Sequence, residues 1–351
     1  MLIGDITVTG GAVRRLVAAS INSSGETLID ARFGREGRGL FRNGLDLVVR
    51  EGASVPGVTG TLDRISDPVL SDTGVTYFYG RLASPLVSLN LPIDEGFFRC
   101  TGGDGDCDTG SGTLEALVLR GDAVVDIPGR ELCSFEPQFD ASDWGITFIA
   151  ATRIDCTSGF EFPLIGVFRL AHGGTVETVA IQTQFANPSP NPFGTTYERF
   201  DGRPVIEDDG VVAFLARIDG ANFDEVIYSC DPATCPAAPA DIAAAEGMLD
   251  PQSNFLSKFA AIDISDDADI SFFAKGKPSA GGMKGKGVYV YRSAGATLER
   301  AAIRGDLTGG MDPQETFLKV LLPGMSAGGR VAFQAKVKGS GTARTVIYLY
   351  E

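Results

Sequence analysis

The amino-acid sequence predicts an all-β fold, a six-bladed β-propeller of four-stranded antiparallel blades, and three observations carry that expectation. The first is a turn-and-strand unit that recurs six times along 351 residues. The second is composition: 45 Gly and 18 Pro punctuate apolar runs dominated by Val, Ile, Thr and Phe, which favours sheet over helix. The third is the pair of chain ends, with a spare strand-like run before the first unit and a last unit one strand short.

The six copies are "NSSGETLIDAR" (22–32), "SDTGVTYFYGR" (71–81), "SDWGITFIAATR" (142–153), "EDDGVVAFLAR" (207–217), "DDADISFFAK" (266–275) and "SAGGRVAFQAK" (326–336). Position zero, the turn residue, is Gly25, Gly74, Gly145, Gly210, Ala268 or Gly329. Positions two, four and six share one face of the strand that follows. They read as a β-branched residue (Thr27, Thr76, Thr147, Val212, Ile270, Val331), then a large one (Ile29, Phe78, Ile149, Phe214, Phe272, Phe333), then a small one (Ala31, Gly80, Ala151, Ala216, Ala274, Ala335). A basic residue stands at position seven in five copies, as Arg32, Arg81, Arg217, Lys275 and Lys336, and one place later as Arg153 in the third.

In chain order, "GDITVTGG" (4–11) is the spare strand, and each turn is preceded by an extended run with an apolar residue nine or ten places upstream. Leu16, Ile65, Phe135, Phe200, Phe259 and Val320 fill that place. A second hairpin follows each of the first five copies, as in "GLFRNGLDLVVREG" (39–52) and "GVYVYRSAGATLERAAIRGD" (287–306), whereas the sixth ends on the single run "TVIYLYE" (345–351). Four strands per unit, with turn residues 49 to 71 apart, cannot bury their faces until neighbouring sheets stack around an axis. The N-terminal strand is expected to complete the last blade, closing one domain over 1–351 and covering a sheet edge.

The unit resembles the repeat of the choice-of-anchor tandem repeat NxxGxxAF proteins of bacteria. Asn22 to Gly25 keeps the Asn and Gly, and Ala213-Phe214 and Ala332-Phe333 keep the AF. The resemblance spans nearly the whole chain, although most copies carry Asp, Ser or Glu in place of Asn and no C-terminal anchor follows Glu351. It implies a secreted or surface chain, with no catalytic residues to carry over.

The six cysteines are expected to form three local disulfides, Cys100 with Cys107, Cys133 with Cys156 and Cys230 with Cys235, each across a turn. That points to an oxidising compartment. Zinc is the weaker reading, because there is no CxxC and His172 is the only histidine. The formal charge of −15 argues against nucleic acid as a partner. No apolar run reaches the roughly 18 residues of a membrane span, and the N-terminus lacks a signal pattern, so the chain is either cytosolic or already processed. The cysteines favour the second.

Candidate sites are few. Asp104, Asp106 and Asp108, with Gly110, have the alternating carboxylates of a calcium loop. They lack the distal Glu, so a solvated acidic turn is the favoured reading and no other cofactor is expected. The position-seven residues, if gathered at one rim, form a cationic ring for an anionic ligand, against the preferred reading that each pairs with a nearby carboxylate. Trp144, the only tryptophan, is a candidate sugar-stacking ring or a cover for the adjacent strand. Both RGD triplets (120–122, 304–306) read as strand ends, and Asn22-Ser23-Ser24 is formally a glycosylation sequon within the repeated turn. No nucleophile elbow, HExxH, phosphate loop or dinucleotide fingerprint is present.

The expected function is therefore a secreted or cell-surface, non-catalytic scaffold for protein interaction or self-assembly, including filaments built when residues 4–11 enter a neighbour's incomplete blade. Two alternatives stand beside it. One is a carbohydrate-binding module using Trp144, Tyr197 or the insertions 83–95 and 183–196. The other is an enzyme such as a polysaccharide lyase or lactonase, since propellers host all three roles.

Overall fold

In the computed structural model each copy of the repeated turn joins the first two strands of an antiparallel meander, and six meanders follow one another along the chain. The structure describes residues 7–8, 11–33, 37–44, 46–83, 94–102, 106–108, 110–157, 161–182, 196–219, 225–233, 241–278, 285–306, 315–339 and 342–351. Sheet one holds β1 (Thr7–Val8), β2 (Gly11–Ile21), β3 (Thr27–Phe33), β4 (Gly37–Arg42) and β5 (Asp46–Arg50). Sheet two holds β6 (Thr61–Leu70), β7 (Thr76–Ala83), β8 (Asp94–Thr101) and β9 (Thr113–Leu119). Sheet three holds β10 (Glu131–Ala141), β11 (Gly145–Arg153), β12 (Leu164–Ala171) and β13 (Val176–Ile181). Sheet four runs from β14 (Thr196–Ile206) through β15 (Val212–Asp219) and β16 (Glu225–Cys230) to β17 (Asp241–Ala245). Sheet five follows with β18 (Asn254–Ile264), β19 (Ile270–Pro278), β20 (Gly285–Arg292) and β21 (Thr297–Ile303). Sheet six has three strands, β22 (Thr316–Met325), β23 (Val331–Lys338) and β24 (Arg344–Tyr350). The fold is a six-bladed β-propeller, and no α-helix occurs among the described residues.

The chain divides into two compact units, Met1–Leu164 with Phe168–Glu177 and Ile165–Val167 with Thr178–Glu351. Inside each, the long first strand of a sheet packs against the sheet before it: β6 on β2 and β3, β10 on β6 and β7, β18 on β14 and β15, β22 on β18, β19 and β20. The cores lie between successive sheets. Leu40, Val49, Ile65, Phe78 and Phe98 close together between sheets one and two, and Phe273, Val288, Val320, Phe333 and Val337 between sheets five and six. Each large side chain so buried contributes about 1.5–3 kcal/mol.

The repeated turn is explained by its backbone. Gly25, Gly74, Gly210, Ala268 and Gly329 have φ between 56° and 84°, the left-handed region that favours glycine. In every case the residue three places before accepts the turn residue's N–H, as Ser71 does from Gly74 at 3.0 Å. The turns also fasten sheets to one another. Asn22 Nδ2 donates to the Ser71 carbonyl at 3.2 Å, Asp72 Oδ1 accepts from Ser23 N at 2.7 Å, and Asp143 Oδ1 accepts from the Thr73 hydroxyl at 2.6 Å. The Arg292 guanidinium donates to the Gly329 carbonyl at 3.1 Å, and Arg42 reaches the Gly74 carbonyl in the same way. Asn22 is buried and its amide engaged, so this sequon is structural.

Position four stacks on an aromatic directly opposite in the third strand of its sheet: Phe78 on Phe98, Phe214 on Tyr228, Phe272 on Tyr289 and Phe333 on Tyr348, at 5.4 to 5.7 Å. Position six must then be small. A Cβ on Gly80 lies 2.8 Å from the Phe98 ring.

Two expectations need correction. The third copy is displaced by one: its hairpin is a residue shorter, the last β10–β11 pair is Ala141 with Ile146, and the stacked ring is Phe148 on Phe168 rather than Ile149. Gly145 is therefore a strand residue, needed because a Cβ there meets the Leu170 carbonyl oxygen at 2.0 Å. Trp144 takes the turn place, and Arg153 lies outside the position-seven register. The N-terminal strand also departs from its expected partner: β1 pairs with β2, Val8 opposite Gly11, instead of completing sheet six. Only Thr9-Gly10 separate the paired residues, a closure that costs far less chain entropy than pairing with the far end of the chain.

Cys100–Cys107 and Cys133–Cys156 form the expected disulfides. Cys230 is disulfide-bonded, and its expected partner Cys235 lies outside the described residues. These bonds suit an oxidising, extracellular environment. No helix among the described residues is long and apolar enough to cross a membrane.

Candidate binding surfaces

In sheets two, four, five and six, at the end opposite the repeated turn, the position-seven cations stand in register with other cations. Arg64 is opposite Arg81, Arg199 opposite Arg217, and Lys319 opposite Lys336 on the first two strands of their sheets, while Lys275 faces Lys286 across β19 and β20. Like charges in that position repel. In sheet four carboxylates answer them, Glu225 for Arg217 at 3.7 Å and Asp201 for Arg199 at 2.7 Å. Arg32 is exposed at the end of β3 and Arg81 half-buried in β7, opposite Glu95. Lys275 and Lys336 form no ion pair among the described residues.

The same end carries the RGD triplets, and the structure accounts for them as turns. Gly52, Gly121, Gly247 and Gly305 all have φ between 87° and 96°. Each donates its N–H to the first strand of the next sheet, as Gly121 does to Leu132 at 2.8 Å. The carboxylates of Asp122 and Asp306 accept from the N–H of Leu119 and Ile303, three residues before, at 2.7 and 3.2 Å. Glu95 and Glu225, which the sequence did not single out, serve as latches between sheets: Oε1 of Glu95 accepts from Phe135 N at 3.3 Å, and Oε2 of Glu225 from Phe259 N at 2.8 Å.

The acidic loop is committed to the fold. Asp106 Oδ1 accepts from Asp108 N at 2.8 Å, and Asp108, only 5% exposed at its side chain, pairs with Arg50 of sheet one at 2.9 Å. Asp104 lies outside the described residues. Among the described residues no three His, Cys, Asp or Glu side chains gather as a metal site. Trp144 is half-buried with the Arg169 guanidinium 5.6 Å from its ring, and Arg169 itself pairs with Glu177 at 3.1 Å. Tyr197 is buried among Phe200, Phe214 and Tyr228, which removes it as a sugar contact.

His172 is an exposed residue whose two ring nitrogens are both engaged. Arg99 Nη1 donates to Nδ1 at 2.7 Å, which puts the proton on Nε2 for donation to Tyr77 Oη at 2.9 Å. Partial burial and then the Arg99 guanidinium push the ring below its ordinary pKa of 6.5, and Asp143 opposes them. A depressed pKa means that, as pH falls, the unfolded chain takes up its proton before the native ring does. A small loss of stability is thus expected between pH 7 and 5.5, absent in His172→Gln, with urea midpoints across that range as the check. The adjoining cavity, about 190 Å³ and lined by Arg99, Glu115 and His172, is smaller than the roughly 300 Å³ at which ligand pockets begin.

Two strongly exposed apolar side chains stand on one strand of sheet six. Among the described residues β24 is the outermost strand of a three-stranded sheet, and Ile347 and Leu349 on its outer face are 75% and 72% exposed. Val346, Tyr348 and Tyr350 on the other face pack onto the core.

None of the curated proteins compared matches the chain. Solved structures that resemble it include a protein of unknown function from Dyadobacter fermentans DSM 18053, with 10% identity, 95% of this chain and 93% of that one covered, and a TM-score of 0.41. An oligogalacturonate lyase in complex with manganese shows 9% identity over 91% of this chain and 73% of that one, with a TM-score of 0.45. A Penicillium chrysogenum α-L-arabinanase complexed with arabinobiose shows 10% identity over 98% and 95%, with a TM-score of 0.42. Such distant likenesses carry no functional argument. A family model matches twice, over residues 4–180 and 145–348, and between them these matches span nearly the whole chain. The chain belongs to that family, a family of unknown function (DUF7453).

Proposed function

We propose that the protein is an extracellular, non-catalytic propeller scaffold that associates with further copies of itself through the open edge of its sixth sheet. One observation carries this reading: among the described residues no strand pairs with the outer edge of β24, and Ile347 and Leu349 are exposed beside it. Exposed edges of this kind pair with other strands unless charge or cover blunts them. The donor fits as well. β1 is a supernumerary fifth strand held by two residue pairs, Thr7 with Ala12 and Val8 with Gly11, so its transfer to a neighbour breaks little. The disulfides and the resemblance to secreted repeat proteins support the compartment.

Light scattering and electron microscopy of the purified protein test it. Oligomers or filaments are expected for the wild type, and single chains both for the variant lacking residues 1–10 and for Ile347→Lys/Leu349→Lys. A wild type that stays a single chain at every concentration overturns the proposal. So does assembly that survives both variants.

A further inference from the structure

We infer that the cleft between the fifth and sixth sheets is a binding site for a multivalent anion, a compact molecule carrying two or more carboxylate, sulfate or phosphate groups. The cleft has a volume of about 850 Å³, within the roughly 300–1,000 Å³ of small-molecule sites. One wall is sheet five. There Phe273 and Lys275 share a face of β19, and Lys286 stands opposite Lys275 on β20 with its Nζ 5.9 Å from the centre of the Phe273 ring. The other wall is β22, with Leu318, Lys319 and Val320, and Arg304 enters from the turn after β21.

Charge singles this cleft out. Among the described residues its lining holds four cations and no Asp or Glu, in a chain with 45 acidic and 30 basic residues. Elsewhere on sheets four to six Arg217, Arg292, Arg300 and Arg344 each pair with a carboxylate. Lys275, Lys286, Arg304 and Lys319 pair with none among the described residues. Lys275 faces Lys286, and Lys319 faces Lys336, an arrangement that opposes folding until a counter-charge arrives. Structural pairing, which explains Arg217, therefore does not explain this group.

The chemistry of the occupant follows from placement. The cations come from strands on both walls, so one small monovalent ion cannot answer them together, whereas two or more anionic groups on one body can. Phe273 and Val320 give the body apolar contact, and the Lys286 ammonium stands over the Phe273 ring. Among the described residues no carboxylate or imidazole lines the cleft to act as an acid or base, and the expected event is binding. The site shares no residue with the β24 edge and stands whether or not the chains assemble.

Isothermal titration calorimetry at low salt tests it with three probes, pyrophosphate, tricarballylate and sucrose octasulfate, whose arms separate phosphate, carboxylate and sulfate. At least one is expected to bind one to one, with affinity falling steeply as salt rises. Lys286→Gln/Lys319→Gln is expected to weaken that binding at least tenfold. Both side chains are exposed, so the variant folds, as its thermal transition will record. Arg330→Gln, which removes an exposed cation paired with Glu351, is the matched control and is expected to bind as the wild type does. No binding of any probe, an unaffected double variant, or an equal loss in the control overturns the assignment.

Discussion

Asp30→Ala is expected to lower folding stability by about 3–5 kcal/mol, the usual result of stranding one member of a buried ion pair. The Asp30 side chain is fully buried and that of Arg38 is 7% exposed. The guanidinium meets the carboxylate at two points, with Nε to Oδ1 at 2.6 Å and Nη2 to Oδ2. Burial nevertheless raises the Asp30 pKa, outweighing the nearby Arg38. A raised carboxyl pKa means that the native state holds its proton more readily than the unfolded chain. This site accordingly favours the native state at low pH and loses that contribution as pH rises through its folded pKa, so it is not where acid unfolding begins. Removing both charges tests the account. Asp30→Leu/Arg38→Met is expected to recover most of the loss, because an apolar pair of similar volume avoids the desolvation cost. Urea unfolding of the three proteins at pH 7 measures it, and a double variant as unstable as Asp30→Ala would show that the site needs the pair itself.

Asp30 also marks the limit of what could be read from the sequence. It stands at position five of the first copy, where Tyr79, Leu215 and Phe273 stand in others. Positions two, four and six were legible because a turn in the left-handed region and a period of two are local properties, written in a few adjacent residues. The buried ion pair needs Arg38 from the next strand, and nothing adjacent to Asp30 announces it. The third copy misled for a related reason. Gly145 looks like the turn glycine, but it is glycine because the Leu170 carbonyl crowds its α-carbon, a contact made with β12. The N-terminal strand was recognisable as a strand, and its choice of partner was not, since two sheet edges compete for it and loop length decides. The binding surfaces were least legible. Lys275 was visible as a repeat residue, whereas its companions Lys286, Arg304 and Lys319 come from separate strands and turns that only packing brings together. The Lys-Gly-Lys spacing at 275–277 and 284–286 was the available signal.

The aromatic ladder gives the second large effect. Phe214 is 1% exposed, stacked on Tyr228 at 5.4 Å and crossed edge-on by Tyr197 at 6.0 Å and Phe200 at 5.8 Å. Phe214→Ala removes the ring on which three others rest, and about 3–5 kcal/mol is the expected loss. The surroundings cannot collapse into the space, because Ala213 and Ala216 are already small and fully buried and the backbone is fixed by pairing on both sides. Phe333→Ala makes the comparison. It is the same repeat position, stacked on Tyr348 at 5.7 Å, but among the described residues its sheet has no strand outside β24, which is free to shift inward over the void. Its loss is expected to be smaller, toward the low end of the range for large-to-small core substitutions. Urea unfolding of both variants under one set of conditions decides the point. Equal losses would mean that the stack itself sets the cost, and a larger loss for Phe214→Ala that the outer strand of sheet four, β17, sets how far a void can close.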